Sequence, residues 1–175
     1  MIVFNGEIYN FKDLRETLKK SNYKFYTNSD TEVLLYCYAE WGINFVKFLK
    51  GMYSFAIWDE LKKTLFCARD EFGVKPFFYK LNDDSFEFAS ESRALYENEN
   101  FNFFNIQSYF LGMYSPFGGS IYEGVNSLNP GHYLIVKDGK INIKKYFDIN
   151  ESLEKKDKPN KKDLDQIKFL FDQSV

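Results

Sequence analysis

The sequence predicts an α+β fold in which two antiparallel sheets lie face to face between outer helices. Residues 52–59 are apolar on both alternating faces, so this strand is expected to be covered on both sides. Residues 76–81 and 85–89 are strand-like and separated at hairpin spacing. Residues 10–22 and 31–41 show helical spacing instead. Doubly covered strands combined with helices predict a four-layer α/β/β/α sandwich of two antiparallel sheets.

The composition is typical of a folded globular domain and excludes several classes of function. Hydrophobic residues make up 45% and aromatic residues 20% of the 175 residues, which favours a packed core over disorder. The formal net charge of −2 provides no attraction to nucleic acid or to an anionic membrane. No apolar run reaches the roughly 18 residues that span a bilayer, and no signal peptide is recognisable. We therefore expect a cytoplasmic protein that binds neither nucleic acid nor a membrane.

Two helices are predicted early in the chain, after a short apolar strand over residues 1–4. The first covers residues 10–22 and is expected to begin with a capping box that starts at Asn10. The second covers residues 31–41 and carries an apolar stripe that includes Cys37. This thiol is therefore expected in the core and not at a reactive site.

The C-terminal half is predicted to contain a further helix, another hairpin and a charged segment. A short helix over residues 106–113 is expected to turn Phe110 inward. Residues 132–147 contain Asp138-Gly139, a strong hairpin signal between two strands. Residues 151–162 are rich in lysine and poor in apolar residues, which predicts a solvated linker, and helical spacing resumes over residues 163–175.

The residues after the opening strand are the best candidates for chemistry. Asn5-Gly6 is predicted to bend the chain sharply, because glycine accepts backbone angles that other residues resist. At such a bend the Gly6 N–H would be free of the sheet, beside the side-chain amide of Asn5. Two neutral donors aimed at one point are what an oxyanion hole requires. The alternative is a plain turn in which the two residues serve only the conformation.

Two further positions allow a structural and a functional interpretation. Asp30 is either a first-turn acid that complements the helix dipole or a carboxylate that binds a ligand ammonium group. The Arg69-Asp70 pair, with the glycine loop that follows, is explained as well by structural bracing as by ligand contact, and we favour bracing. His132 is the single histidine and is interpreted as a strand-start residue, so a metal site is not expected.

Five motifs occur in one order along the chain. They are Asn-Gly-Glu-Ile-Tyr-Asn from Asn5, Ser-Asp-Thr-Glu-Val-Leu-Leu from Ser29, Gly-Met-Tyr-Ser-Phe-Ala-Ile-Trp-Asp from Gly51, Ala-Arg-Asp-Glu-Phe-Gly-Val-Lys-Pro from Ala68 and Phe-Ala-Ser-Glu-Ser-Arg-Ala-Leu from Phe88. This series resembles the glutamine amidotransferase half of glutamine-hydrolysing asparagine synthetases. The resemblance implies an N-terminal-nucleophile hydrolase type of fold, truncated at its N-terminus, with residues 1–150 as a partial type-2 glutamine amidotransferase domain.

The resemblance also assigns roles to four residues of this chain. Asn5, through its side chain, and Gly6, through its N–H, would form the oxyanion hole. Glu7 and Asp30 would bind the α-amino end of the substrate glutamine. None of these residues is expected to bind a cofactor or a metal.

Other parts of the family pattern are not found in this sequence. Family members carry an N-terminal cysteine as nucleophile and an arginine segment that binds the glutamine carboxylate, both upstream of the motif at Asn5. Residues 163–175 would open an ATP-dependent synthetase domain, for which ATP, Mg²⁺ and aspartate are implied, and the complete protein would be a homodimer. We therefore interpret the chain as an internal fragment that is inactive and poorly soluble when expressed alone.

Two alternatives stay open at this stage. A related amidotransferase could deliver ammonia to a different acceptor, such as a surface sugar. A domain of a different class would bind glutamine without catalysis, as a regulatory relic.

Overall fold

The computed structural model describes residues 1–82, 85–97, 100–113, 118–152 and 160–174. Its strands are β1 (Ile2–Ile8), β2 (Gly51–Asp59), β3 (Thr64–Arg69), β4 (Phe78–Leu81), β5 (Phe86–Ala89), β6 (Asn126–Ser127), β7 (His132–Lys137) and β8 (Lys140–Lys145). Its α-helices are α1 (Phe11–Lys20), α2 (Asp30–Trp41), α3 (Phe103–Gly112) and α4 (Lys161–Ser174).

The strands form two antiparallel sheets, as predicted. The larger sheet has the order β1-β2-β3-β7-β8, and the smaller has the order β5-β4-β6. The hairpins β2-β3, β4-β5 and β7-β8 each join neighbours in sequence and in space. The α+β class and the two stacked sheets are therefore confirmed.

Strand β2 is covered on both faces because its side chains alternate between two apolar layers. Tyr53, Phe55 and Ile57 belong to a core that includes the buried faces of α1 and α2. Ala56, on the opposite face, packs in a second core with Phe77, which precedes the smaller sheet. These two cores place one pair of helices outside the larger sheet and the smaller sheet on its other side.

The first strand does not end in the predicted bend. β1 continues through Asn5 and Gly6 to Ile8, and Gly6 pairs with Tyr53 of β2. Gly6 has φ +146°, and a Cβ on it would lie 2.1 Å from the Met52 carbonyl oxygen. Glycine is required here because the two backbones approach closely, and not because the chain turns.

Two local predictions for helices were wrong. Asn10 does not cap α1 with its side chain; that amide instead donates to the Phe48 carbonyl at 2.9 Å and accepts from the Lys50 N–H at 2.9 Å. Phe110 is 80% exposed, whereas Asn105 is the buried residue of α3 and donates to a loop carbonyl. Five helical residues rotate the side chain by about 140°, so a helix that buries Asn105 turns Phe110 outward.

The C-terminal helix α4 confirms the helical spacing predicted for this part of the chain. None of its described residues is buried, and its apolar side chains at Leu164, Ile167, Phe169, Leu170 and Phe171 are all exposed. Most of the predicted linker, residues 153–159, lies outside the described residues. The division of the chain into domain, linker and first helix of a further domain stays a prediction.

Candidate functional site

The Gly6 N–H points away from the sheet at the edge of β1. Paired residues in antiparallel strands alternate between hydrogen-bonded and non-hydrogen-bonded pairs. Tyr9 donates to the Lys50 carbonyl at 2.7 Å, which makes the odd-numbered residues of β1 the hydrogen-bonded ones. Tyr53 lies opposite Gly6 but bonds to Asp70 instead: its N–H donates to the Asp70 carboxylate, and its carbonyl accepts from the Asp70 N–H. The backbone donor of Gly6 therefore faces the side of β1 on which no described strand lies.

Asp30 lies at the same edge of β1. Its Oδ2 accepts a hydrogen bond from the Ile8 N–H at 3.1 Å. Ile8 is two residues beyond Gly6, so the two N–H groups point the same way and are about 7 Å apart along the strand. Asp30 is the first residue of α2, and Ser29 before it accepts a hydrogen bond from the Thr31 N–H, which fixes the start of the helix. The carboxylate is thus fixed beside the free backbone of β1.

The Asn5 side chain lies on the face of β1 that is turned toward the smaller sheet. Its Nδ2 donates to Ser90 Oγ at 3.3 Å, immediately after β5. Asn5 also lines a cavity of about 140 Å³ between the sheets, together with Ser54, Phe77 and Phe88 among other residues. The side-chain amide on this face and the outward-facing Gly6 N–H thus belong to neighbouring residues of β1, which we call the corner of β1.

Glu7 is exposed and lies on the same face of β1 as Asn5, because side chains two residues apart share a face. Its carboxylate makes no hydrogen bond or ion pair with any residue in the described part of the chain. An exposed, unpaired carboxylate at this position can accept a ligand cation without losing an existing contact.

The four predicted site residues are thus brought to one region but not to one closed pocket. Gly6 and Asp30 share the strand edge, whereas Asn5 and Glu7 occupy the adjoining face. Asp30 is not among the residues that line the cavity beside Asn5. Their assignment as a glutamine site stays a prediction.

Neither cysteine of the chain is available as a nucleophile. Cys37 and Cys67 are fully buried. Burial raises the pKa of Cys37 to about 12, and it raises the pKa of Cys67 well above its ordinary value. A thiolate is the reactive form, so both thiols are chemically silent in the folded chain.

The Arg69–Asp70 loop braces β2, the strand that pairs with β1 at Gly6. The buried Asp70 carboxylate accepts hydrogen bonds from four backbone N–H groups, those of Tyr53, Phe72, Val74 and Lys75, at 2.9 to 3.3 Å. The Arg69 guanidinium donates to the carbonyls of Gly73, Lys75 and Leu128 and to Ser127 Oγ. With these groups saturated by the protein itself, the geometry favours bracing over ligand contact.

Ser90 is a candidate site residue to which the sequence interpretation assigned no role. It belongs to one of the five motifs, but its contact with Asn5 joins residues 85 positions apart. No local pattern signals such a contact; only the order of strands in the two sheets creates it.

The described residues offer neither a metal site nor a membrane-spanning helix. They contain no group of three or more His, Cys, Asp or Glu that could hold a metal ion. Within the same residues, no helix is both long enough and apolar enough to cross a membrane.

Relatives of this chain are glutamine-hydrolysing asparagine synthetases. Asparagine synthetase [glutamine-hydrolyzing] 3 of Bacillus subtilis is 39% identical over 153 residues, which cover 85% of this chain and 25% of that protein. Putative asparagine synthetase [glutamine-hydrolyzing] 2 of Methanocaldococcus jannaschii is 38% identical over 153 residues, covering 84% of this chain and 29% of that protein. The chain thus spans about a quarter of the length of the relatives it matches.

The fold is similar to that of a solved amidotransferase. The glutamine phosphoribosylpyrophosphate amidotransferase from B. subtilis, complexed with ADP and GMP, superposes with a TM-score of 0.60 at 23% identity. The match covers 83% of this chain and 29% of that one, and it confirms the predicted N-terminal-nucleophile hydrolase type of fold. Residues 1–147 match the family of the glutamine amidotransferase domain. The chain therefore belongs to the glutamine amidotransferase family.

Proposed function

We propose that the chain is the glutaminase half of a glutamine-hydrolysing asparagine synthetase and that Asn5 and Gly6 form its oxyanion hole. The observation that carries this proposal is the corner of β1, where an outward-facing backbone N–H adjoins a side-chain amide. The similarity to asparagine synthetases supports the choice of substrate.

The corner suits the charge that develops when glutamine is hydrolysed. Attack of a thiolate on the side-chain carbonyl of glutamine turns the carbonyl oxygen into an oxyanion. The Asn5 Nδ2–H and the Gly6 N–H are neutral donors. They stabilise the charge of the oxyanion without carrying a charge themselves. The tetrahedral intermediate then releases ammonia, and water hydrolyses the resulting thioester to glutamate.

The thiolate would come from polypeptide outside this chain. Cys37 and Cys67 are buried with raised pKa values, so neither can reach the corner. In this proposal a terminal cysteine uses its own α-amino group as the base, and the chain alone does not turn over glutamine.

Glu7 and Asp30 would bind the α-ammonium group of glutamine. Both are acids next to the Gly6 donor, one exposed and unpaired and the other fixed at Ile8. Carboxylate–ammonium hydrogen bonds are among the stronger polar contacts, and these two would set the direction in which the substrate lies.

In the complete protein, ammonia would react with an aspartyl-adenylate to give asparagine, AMP and pyrophosphate. ATP, Mg²⁺ and aspartate would bind in a synthetase domain beyond this chain, which α4 would open. We further propose a cytoplasmic homodimer for the complete protein.

Glutamine binding to the chain tests the site directly. Glutamine should shift the backbone amide resonances of Gly6 and Ile8 in a saturable way, and asparagine should not. The Asp30→Asn variant should weaken glutamine binding about tenfold because a charge-assisted contact is lost. Asp13→Asn, which changes an exposed acid on α1, is the matched control and should bind like the unsubstituted chain.

An assay of ammonia release tests the assignment of the nucleophile. No release above the buffer rate is expected from the chain, even at high glutamine concentration. Measurable turnover that disappears in a Cys37→Ala or Cys67→Ala variant would contradict the proposal. So would equal shifts of Gly6 and Ile8 in the Asp30→Asn variant and the unsubstituted chain.

A further inference from the structure

Ser90 holds the Asn5 side chain from the opposite sheet. The distance from Asn5 Nδ2 to Ser90 Oγ is 3.3 Å, and Asn5 makes no other side-chain hydrogen bond with the described residues. Several rotamers of an asparagine differ in where the amide points, and this contact selects among them. A side-chain amide nitrogen carries two hydrogens, so one remains for a ligand when the other is engaged by Ser90.

Ser90 is itself fixed by the structure around it. It follows β5 directly, where Ala89 pairs with Phe78 of β4. On its other side the chain enters a 3-10 turn, Ser92–Leu95, whose last residue is buried. Backbone fixed on both sides gives the exposed hydroxyl of Ser90 a defined position relative to β1.

Ser54 offers the Asn5 amide an alternative partner. It lies directly opposite Asn5 on β2, so the two side chains are neighbours on one face, with Cβ atoms about 5 Å apart. Ser54 is 4% exposed and lines the same cavity as Asn5. Its hydroxyl makes no hydrogen bond with any other residue that the structure describes, and a buried hydroxyl without a partner attracts a nearby amide. Ser54 and Ser90 both line this cavity, so an amide that turned to Ser54 would lie against β2 instead of reaching toward Ser90.

We propose that Ser90 is a positioning residue that keeps the Asn5 amide beside the Gly6 N–H and away from Ser54. Ser90 accepts one N–H of Asn5, and the second N–H is thereby directed to the carbonyl oxygen of the substrate. Ser90 itself touches neither the substrate nor the nucleophile. This inference rests on the proposed oxyanion hole.

The test is the ¹³C resonance of the side-chain carbonyl of glutamine, titrated with the chain. Hydrogen bonds to a carbonyl oxygen polarise the C=O bond and move this resonance downfield. The titration gives two separate quantities, the dissociation constant and the limiting shift at saturation. The limiting shift reports how well the donors are aimed, whereas the dissociation constant reports the contacts of the whole substrate.

Ser90→Ala should reduce the limiting shift by about half, because one of the two donors loses its orientation. Ser90→Thr keeps a hydroxyl at the same position and should restore the shift. Asn5→Ala should lower it at least as much as Ser90→Ala. Ser54→Ala should leave it unchanged, and Ser85→Ala is the matched control, a hydroxyl in the turn of the same hairpin that bonds to Asn82 and Glu87.

The outcomes separate the positioning role from the proposed function. A normal limiting shift in Ser90→Ala, with a clear shift in the unsubstituted chain, would overturn the positioning role alone. A reduced shift that Ser90→Thr does not restore would also overturn it, because a hydroxyl is then not what matters. If glutamine produced no shift in the unsubstituted chain, the proposed function would fall, and the positioning role with it. Amide spectra of each variant establish that the fold is intact.

Discussion

The edge of β1 and the Arg69–Asp70 loop contain the same kinds of polar group, but these groups are more fully hydrogen-bonded within the protein in the loop. In the loop, one carboxylate accepts four backbone N–H groups and one guanidinium donates to four oxygens. At the edge, the Gly6 N–H has no partner among the described strands and Glu7 is exposed. A saturated polar group stabilises the fold, whereas an unsaturated one at the surface is available to a ligand. Substitutions in the two regions should therefore divide between stability and binding.

The largest effect is expected for Asp70→Ala in the loop. The substitution leaves four backbone N–H groups without their acceptor at a residue that is only 1% exposed. We expect a loss of about 3–5 kcal/mol in the free energy of unfolding, measured by urea titration. A loss below about 1 kcal/mol would show that the loop does not brace the sheet.

The next effect is expected for Gly6→Ala at the edge. A Cβ would meet the Met52 carbonyl at 2.1 Å in a backbone conformation that other residues avoid. We expect a loss of about 2–4 kcal/mol in unfolding free energy, with the Ile8–Asp30 contact disturbed. Gly139→Ala is the matched control, since Gly139 has φ +69° with nothing within 4 Å of an added Cβ. It should lose only about 1 kcal/mol, so the difference measures the steric contact.

Alkaline pH should lower the stability through the core beneath both regions. Burial raises the pKa of Cys37 from 9.0 to about 12, and burial with the Asp59 contact raises the pKa of Tyr38 from 10.0 to about 12. A raised pKa in the folded state means that the unfolded chain loses its protons first, so stability falls as the pH rises from about 9 toward 12. The slope contributed by Cys37 should approach about 1.4 kcal/mol per pH unit above pH 9. Urea midpoints at several pH values measure it, and Cys37→Ala should reduce the slope.

The smallest effect on stability is expected for Asn5→Ala. Its amide makes a single exposed hydrogen bond, so the loss should stay below about 1 kcal/mol. Binding should respond in the opposite way, with a marked loss of the downfield shift of the glutamine carbonyl. A large loss of stability here would break the contrast between the edge and the loop.

Patterns that are local in sequence predicted most of the fold. The hairpins and the apolar faces of β2 depend on alternation within a few residues, which the sequence displays directly. The predicted bend at Asn5-Gly6 was wrong. Glycine is needed there because the opposite strand approaches at Met52, and the residues around Gly6 in the sequence do not indicate this approach. The prediction that Phe110 points inward was wrong for a similar reason, since the buried side of α3 is set by the contact of Asn105 with a distant loop.

For the candidate site, too, local sequence patterns predicted some features and not others. The motifs predicted Asn5, Gly6, Glu7 and Asp30 as candidate residues, but they did not predict how these residues are arranged in space. That Asp30 bonds to Ile8, and that Asn5 is held by Ser90, follow from the pairing of strands and the stacking of two sheets. Sequence spacing carries no information about contacts of this kind.

The hydrogen bond between Asp30 and Ile8 limits how far another strand can extend along the open side of β1. An incoming strand can form ladder bonds with Ile2 and Phe4, whose backbone groups point outward by the same alternation as Gly6. At Ile8 the carboxylate already occupies the N–H, so the ladder must stop there. Because Asp30 occupies the Ile8 N–H, Gly6 is the last free backbone donor on this edge that an arriving chain or ligand can reach.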